Sequence, residues 1–236
     1  MPIVLRPAAE RGHLVDPGLS GTAAFSHGSA FDRHWLGFHA LRVLNRVVLA
    51  PGATRPVARR ANMELLTLVL AGTYRVRSQA GDSGPIHAGH WHRLGAGVGV
   101  DVVEANADPS SSLRLLQLWV QPSRSNAAPV QAVGSPAVGE SRIAAPAAGT
   151  GGALLPWGAA ATVRRESVLP GASFALPATH ASACWVEVIG GELALRAPGG
   201  GSAVLRGGDG LGVADEAAFA LVSSFGADLL VVELPG

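Results

Sequence analysis

One cysteine, Cys184, occurs in 236 residues. No internal disulfide can form, and a lone thiol fits a reducing cytoplasm, where we expect the protein to reside. Next to Trp185 it reads as a small buried side chain, not a nucleophile. Charge is scarce too: 15% of residues are charged and the formal net charge is +1. No global field recruits nucleic acid or a membrane surface. Arg55, Arg59 and Arg60 cluster locally, but without interleaved aromatics they read as a solvated loop and exclude direct nucleic-acid contact. No run of about 18 apolar residues is present, so no helix is expected to span a membrane. The stretch from Met1 to Pro7 lacks the apolar core of a signal peptide. Gly199–Gly201 and Gly207–Gly210 lack a phosphate-loop lysine and any following helix pattern, so they are turns. The serines at 83 and 110–112 have no base at motif spacing.

What is present is strand pattern. Short Val- and Leu-rich runs at 41–49, 65–70, 113–121, 185–189, 192–196 and 229–234 are punctuated by Gly, Pro and Asn turns. That rhythm specifies an all-β sandwich or barrel. Residues 123–158 run Ala, Gly, Pro and Ser with few large apolar side chains, and read as a connection. Both halves share one plan. A Pro-Gly turn (Pro51-Gly52; Pro170-Gly171) leads to a strand, an apolar strand ending in Gly, a further strand and a Gly-rich turn. Two tandem double-sheet barrels account for this duplication. The expected division is 1–125, an N-terminal barrel; 126–158, a connection; and 159–236, a C-terminal barrel.

Several blocks carry a more specific likeness. Gly37 to Asn45, Gly52 to Gly72, Gly95 to Asn106, Leu116 to Pro122, Trp185 to Glu192 and Gly208-Asp209-Gly210 follow one another in an order that resembles the bacterial pirin-like bicupins of the cupin superfamily. The resemblance implies two tandem jelly-roll barrels. It also implies a mononuclear metal centre in the first barrel, since some members of that family are iron-binding, others quercetin dioxygenases and others transcription cofactors. In the resemblance, the positions of Ala58, Arg60 and Val102 are normally histidines, and that of Glu104 a glutamate. Two residues one apart on a strand face the same way, which is how such a set converges. Here Ala58 and Val102 cannot ligate, and Arg60 brings a fixed positive charge into the space of a cation.

Two readings follow. The first is a barrel without metal, expected to need no cofactor and to lack dioxygenase activity, persisting as a small-ligand-binding or protein-interaction module. Arg60, Glu64, His92 and Glu104 then line a site for a small polar or anionic molecule, with Glu104 paired to Arg60. The chain is expected to be a monomer or weak homodimer. The second is an oxygenase of quercetinase type, with iron or another divalent transition metal held by relocated ligands His90, His92 and Glu104. Against it stands a plainer arrangement, with Trp91 in the core and the two histidines on a solvated strand end. His87, His13, His27, His34, His39 and His180 show no ligand spacing.

Overall fold

The computed structural model describes residues 3–137, 140–147, 153–175, 183–196, 202–214 and 220–235. His180 and the turn expected at Gly199–Gly201 lie outside them. Among the described residues the chain is built from strands, with one 3-10 turn at Ala8–Glu10. The strands form a seven-stranded and a five-stranded sheet in the first half and a ten-stranded sheet in the second. The all-β, two-barrel expectation holds.

The seven-stranded sheet explains why its central strands do not alternate. Glu64–Ala71, sequence ELLTLVLA, is buried over its first six residues. Its odd residues Leu65 and Val69 join Leu94, Val100, Val102 and Leu115 in the core of the first barrel. Its even residues Leu66 and Leu68 pack instead with Trp91, Leu116, Trp157, Trp185, Leu230 and Val232 of a second core. That second core lies between the two halves. A sheet covered on both faces needs apolar residues at consecutive positions. The interior of the second barrel is aliphatic: Val186, Val188, Leu193, Leu211, Leu221 and Leu229 cluster there. Each such side chain contributes about 1.5–3 kcal/mol on burial.

Sheet membership crosses the expected division twice. Ile3–Arg6 pairs with Gly210–Ala214, so the first strand of the chain completes the ten-stranded sheet. Within the expected connection, Val130–Gly134 pairs with Trp91–Gly95 of the first barrel, while Arg142–Pro146 and Leu155–Trp157 join the second sheet. Small residues made this stretch resemble a linker. Backbone pairing needs no large side chain, and at Gly134 a Cβ would meet Leu154 at 2.7 Å. The turn expected at Gly190-Gly191 is instead a bulge inside one continuous strand, Ala183–Arg196, with a register shift between Val188 and Gly190. Gly191 has φ +82° and lies so close to the carbonyl of Gly226 that a side chain has no room, which is the local cost of bending a strand without breaking it.

A buried ion network joins the halves. Arg11 donates to both oxygens of Glu187, at 3.0 and 2.6 Å. Arg46 reaches the same carboxylate at 3.2 Å.

Candidate functional site

Strand pairing brings the four family positions to one face. Ala58–Arg60 runs antiparallel to Val100–Asn106, with Ala58 opposite Val102 and Arg60 opposite Val100. Directly opposite residues share a face, as do residues two apart on one strand. Ala58, Arg60, Val102 and Glu104 therefore all point inward, beside the core residues Val100 and Val102. From the opposite wall a polar row faces them. His92 lies opposite Thr67, Thr67 opposite Gln117, and Gln117 opposite Asn45. All four are buried.

Glu104 is the centre of this interior. Arg55 donates from Nη1 to its Oε2 at 2.6 Å. The Tyr74 hydroxyl donates to Oε1 at 2.5 Å, and Gln117 Nε2 donates to the same oxygen at 2.6 Å. Burial alone would raise the Glu104 pKa, but Arg55, Tyr74, Gln117 and Arg60 together hold it below the ordinary carboxylate value. Tyr74 shows the converse: burial and the adjacent carboxylate push its pKa well above the usual phenol range.

The expected pairing of Arg60 with Glu104 is corrected by this geometry. Arg55, on the loop before the Ala58–Arg60 strand, takes the carboxylate. The Arg60 guanidinium instead lies over the Trp119 ring, 4.7 Å from its centroid. Its recorded hydrogen bond is a long one, Nη1 to the Arg59 carbonyl at 3.3 Å. His27 approaches the same Trp119 ring edge-on at 4.8 Å, and its Nδ1 lies 2.7 Å from Asn45 Nδ2. Burial, with Arg60 and Arg55 nearby, lowers the His27 pKa to about 4.

The other sequence-predicted residues separate. Glu64, expected to line the site, is on the even face of its strand. There Arg93 pairs with it at 3.0 Å and the Gly158 N–H donates to it at 3.1 Å. It ties a loop of the second half to the sheet. His92 is on the inner wall, next to Tyr74 at 6.1 Å between ring centroids and to Gln131 at 3.4 Å. It is not solvated, and burial lowers its pKa to about 4. His90 precedes that strand and is partly exposed, and its ring lies 6.4 Å from that of His87 across the turn. Among the described residues no group of three or more His, Cys, Asp or Glu is placed to hold a metal ion, so His90, His92 and Glu104 do not form a joint site.

A metal at the family positions meets an unsuitable donor set. A methyl group, an isopropyl group and a guanidinium stand at three positions. The fourth, Glu104, has both oxygens engaged by three donors. The residues do not fit a divalent cation. A separate groove of about 250 Å³ lies on the outer face of the same strands, lined by Arg75, Arg77, Val103 and Ala105. Glu104 is not among its lining residues.

Sequence reasoning missed Arg55, Tyr74, Gln117, Trp119, His27 and Asn45. For Gln117 and Trp119 a signal was present. In LRLLQLWV they share strand parity with Leu115, which fixes them to the barrel face. Arg55 sits on a loop, where no periodicity reports direction.

Comparison with known proteins places this geometry. The Pirin family model matches residues 8–120. The chain is 34% identical over 127 residues to a quercetin 2,3-dioxygenase of Escherichia coli K12, covering 54% of this chain and 55% of that protein. It thus spans about half the length of the dioxygenases it matches. Similarity to the pirin-like protein YhaK of the same organism is 28% over 243 residues and covers 99% of both chains. In three dimensions it resembles YhhW from Escherichia coli, crystallised in complex with nickel(II), with a TM-score of 0.88, 28% identity and 99% of both chains covered.

Proposed function

The chain belongs to the pirin-like family of cupins, and from that premise we propose that it is a metal-free member, a cytoplasmic small-ligand-binding or protein-interaction module without dioxygenase chemistry. The observation that carries this reading is the engagement of both Glu104 oxygens by Arg55, Tyr74 and Gln117. The one retained carboxylate already has a resident cation as its partner. A divalent metal on this carboxylate would compete with a charge-assisted bond of 2.6 Å, and would sit beside Arg55 and Arg60. Repulsion between charges about 4 Å apart amounts to about 4 kcal/mol at an effective dielectric of about 20.

The chain's residues would then serve binding alone. The Arg55–Glu104 pair stiffens the floor, the buried polar row holds the opposite wall, and Arg60 and Trp119 stand half-exposed at the opening. The test is metal content and oxygen uptake. Purified protein incubated with nickel, iron or copper and then desalted should retain less than stoichiometric metal and consume no oxygen with quercetin.

The alternative is an oxygenase with relocated ligands. It draws support from relatives named quercetin 2,3-dioxygenase and from the nickel complex of YhhW. Stoichiometric metal lost on replacing His92 or Glu104, with flavonol-dependent oxygen uptake, would favour it and overturn the metal-free reading.

A further inference from the structure

We infer that the mouth of the first barrel binds a small organic monocarboxylate with an apolar body, gripped by Arg60 and His27 beside Trp119. The inference rests on the metal-free reading and specifies what that site takes.

Charge accounting comes first. Arg55, Arg60 and Glu104 meet in this interior, and Glu104 is consumed by Arg55. No carboxylate lies within ion-pair distance of Arg60 among the described residues. With His27 and His92 neutral, the site carries one surplus positive charge. A monoanion balances it, whereas a phosphate dianion would overshoot.

Donor accounting comes second. A guanidinium stacked on an indole uses its face and leaves its N–H edges in the plane, free for a two-pronged contact with a carboxylate. Arg60 lies over the Trp119 ring, 4.7 Å from its centroid, and its hydrogen bond, to the Arg59 carbonyl, is long at 3.3 Å. As the Asn45 amide stands, it donates to His27 Nδ1 at 2.7 Å. That puts the imidazole proton on Nε2 as a further donor beside the same ring. Asn45 Oδ1, fully buried, has no donor of its own. Glu104 is ion-paired to Arg55 and makes no ion pair with Arg60.

Shape comes third. Ala58 and Val102, opposite one another where the family carries histidines, present a methyl and an isopropyl group between the cationic mouth and the floor. Arg60, His27, Trp119 and Ala58 are all partly open to solvent. On this proposal an apolar or aromatic body lies beside Trp119 and Ala58 with its carboxylate turned to Arg60.

Calorimetry on EDTA-treated full-length protein, with benzoate and its neutral isostere benzamide as probes, tests this. Benzoate should bind with one-to-one stoichiometry. Benzamide, and benzoate to Arg60→Met, should bind at least about tenfold more weakly, the size of one charge-assisted bidentate contact. Arg60→Lys, which keeps the charge and loses the fork, should fall between, and serves if Arg60→Met does not fold. Equal affinity of benzoate and benzamide, undiminished binding to the Arg60 variants, or no saturable benzoate binding up to about 10 mM overturns the inference. A parallel titration with nickel present separates the two readings. Benzoate binding that appears only with bound nickel sinks the metal-free reading as well, while absence of both nickel uptake and benzoate binding sinks this inference alone.

Discussion

Replacing Arg55 by Met removes the counter-ion of Glu104 while keeping side-chain volume. In the folded protein the Arg55 and Glu104 side chains are 21% and 12% exposed, so the pair is neither a surface bridge worth under about 1 kcal/mol nor a fully dry one worth about 3–5 kcal/mol when broken. We expect a loss of about 2–3 kcal/mol at pH 7.5, because Tyr74 and Gln117 still donate to the stranded carboxylate. The pH dependence is more telling. In the native chain the Glu104 pKa is held below its ordinary value of 4.5. Its contribution is therefore complete above the unfolded-state pKa of about 4.3 and disappears as pH falls through the folded value. Without Arg55, burial, the largest single influence on Glu104, dominates and raises the folded pKa above the unfolded one. The variant should then recover stability, relative to the native chain, as pH falls from 7.5 towards 5. Urea unfolding of both proteins across that range reads the difference directly. A loss below about 0.5 kcal/mol, or a gap that does not narrow on acidification, would refute the assignment of Glu104 to Arg55. The same profile in Arg60→Met would hand the carboxylate to Arg60 after all.

His92, with a folded pKa lowered from 6.5 to about 4, should cost stability as pH falls from about 6.5 towards about 4, by as much as about 3 kcal/mol. His92→Gln should flatten that part of the acid profile in chemical unfolding. Glu187→Gln leaves Arg11 and Arg46 facing each other without their shared carboxylate. A drop of about 3–5 kcal/mol should appear in calorimetry as a melting temperature about 6–20 °C lower. Combining Ala58→His, Arg60→His and Val102→His should bind nickel at least about tenfold more tightly than the native chain does. Adding Arg55→Met to that triple variant should tighten that binding by at least about tenfold. Nickel titration with unchanged affinity on removing Arg55 would show that this side chain does not exclude the metal.

The fold was legible because strand rhythm and turn residues are local. Runs such as Leu113–Val120 declare themselves by composition, and the duplicated plan declares two barrels. What composition could not report is which backbone edges are free. Val130–Gly134 and Arg142–Pro146 are strands because they dock on existing edges, a tertiary demand that small residues satisfy without announcing it. Gly190-Gly191 reads locally as a turn and is overridden by pairing with Ala227 and Asp228 across the sheet. In the site, Ala58, Arg60, Val102 and Glu104, the positions that the family resemblance named, share a face through the pairing of their strands. Parity also argues against Glu64, which is an odd number of residues from Thr67 on its strand and so faces the other core. The carboxylate pairs with Arg55 and not Arg60, because Arg55 sits on a loop whose trajectory strand period does not encode.

A buried carboxylate left alone would be strongly destabilising, so Glu104, with Ala58, Arg60 and Val102 on the same face, calls for a cation close by. Arg55 supplies it, and Tyr74 and Gln117 complete the hydrogen bonding from the two walls. Arg55 beside a metal at these positions would repel it, and Glu104 without Arg55 would keep only Tyr74 and Gln117 as donors. Once Arg55 holds the carboxylate, Arg60 has no internal anion to satisfy and is released to the face of Trp119. The surplus charge at the mouth follows from filling the floor.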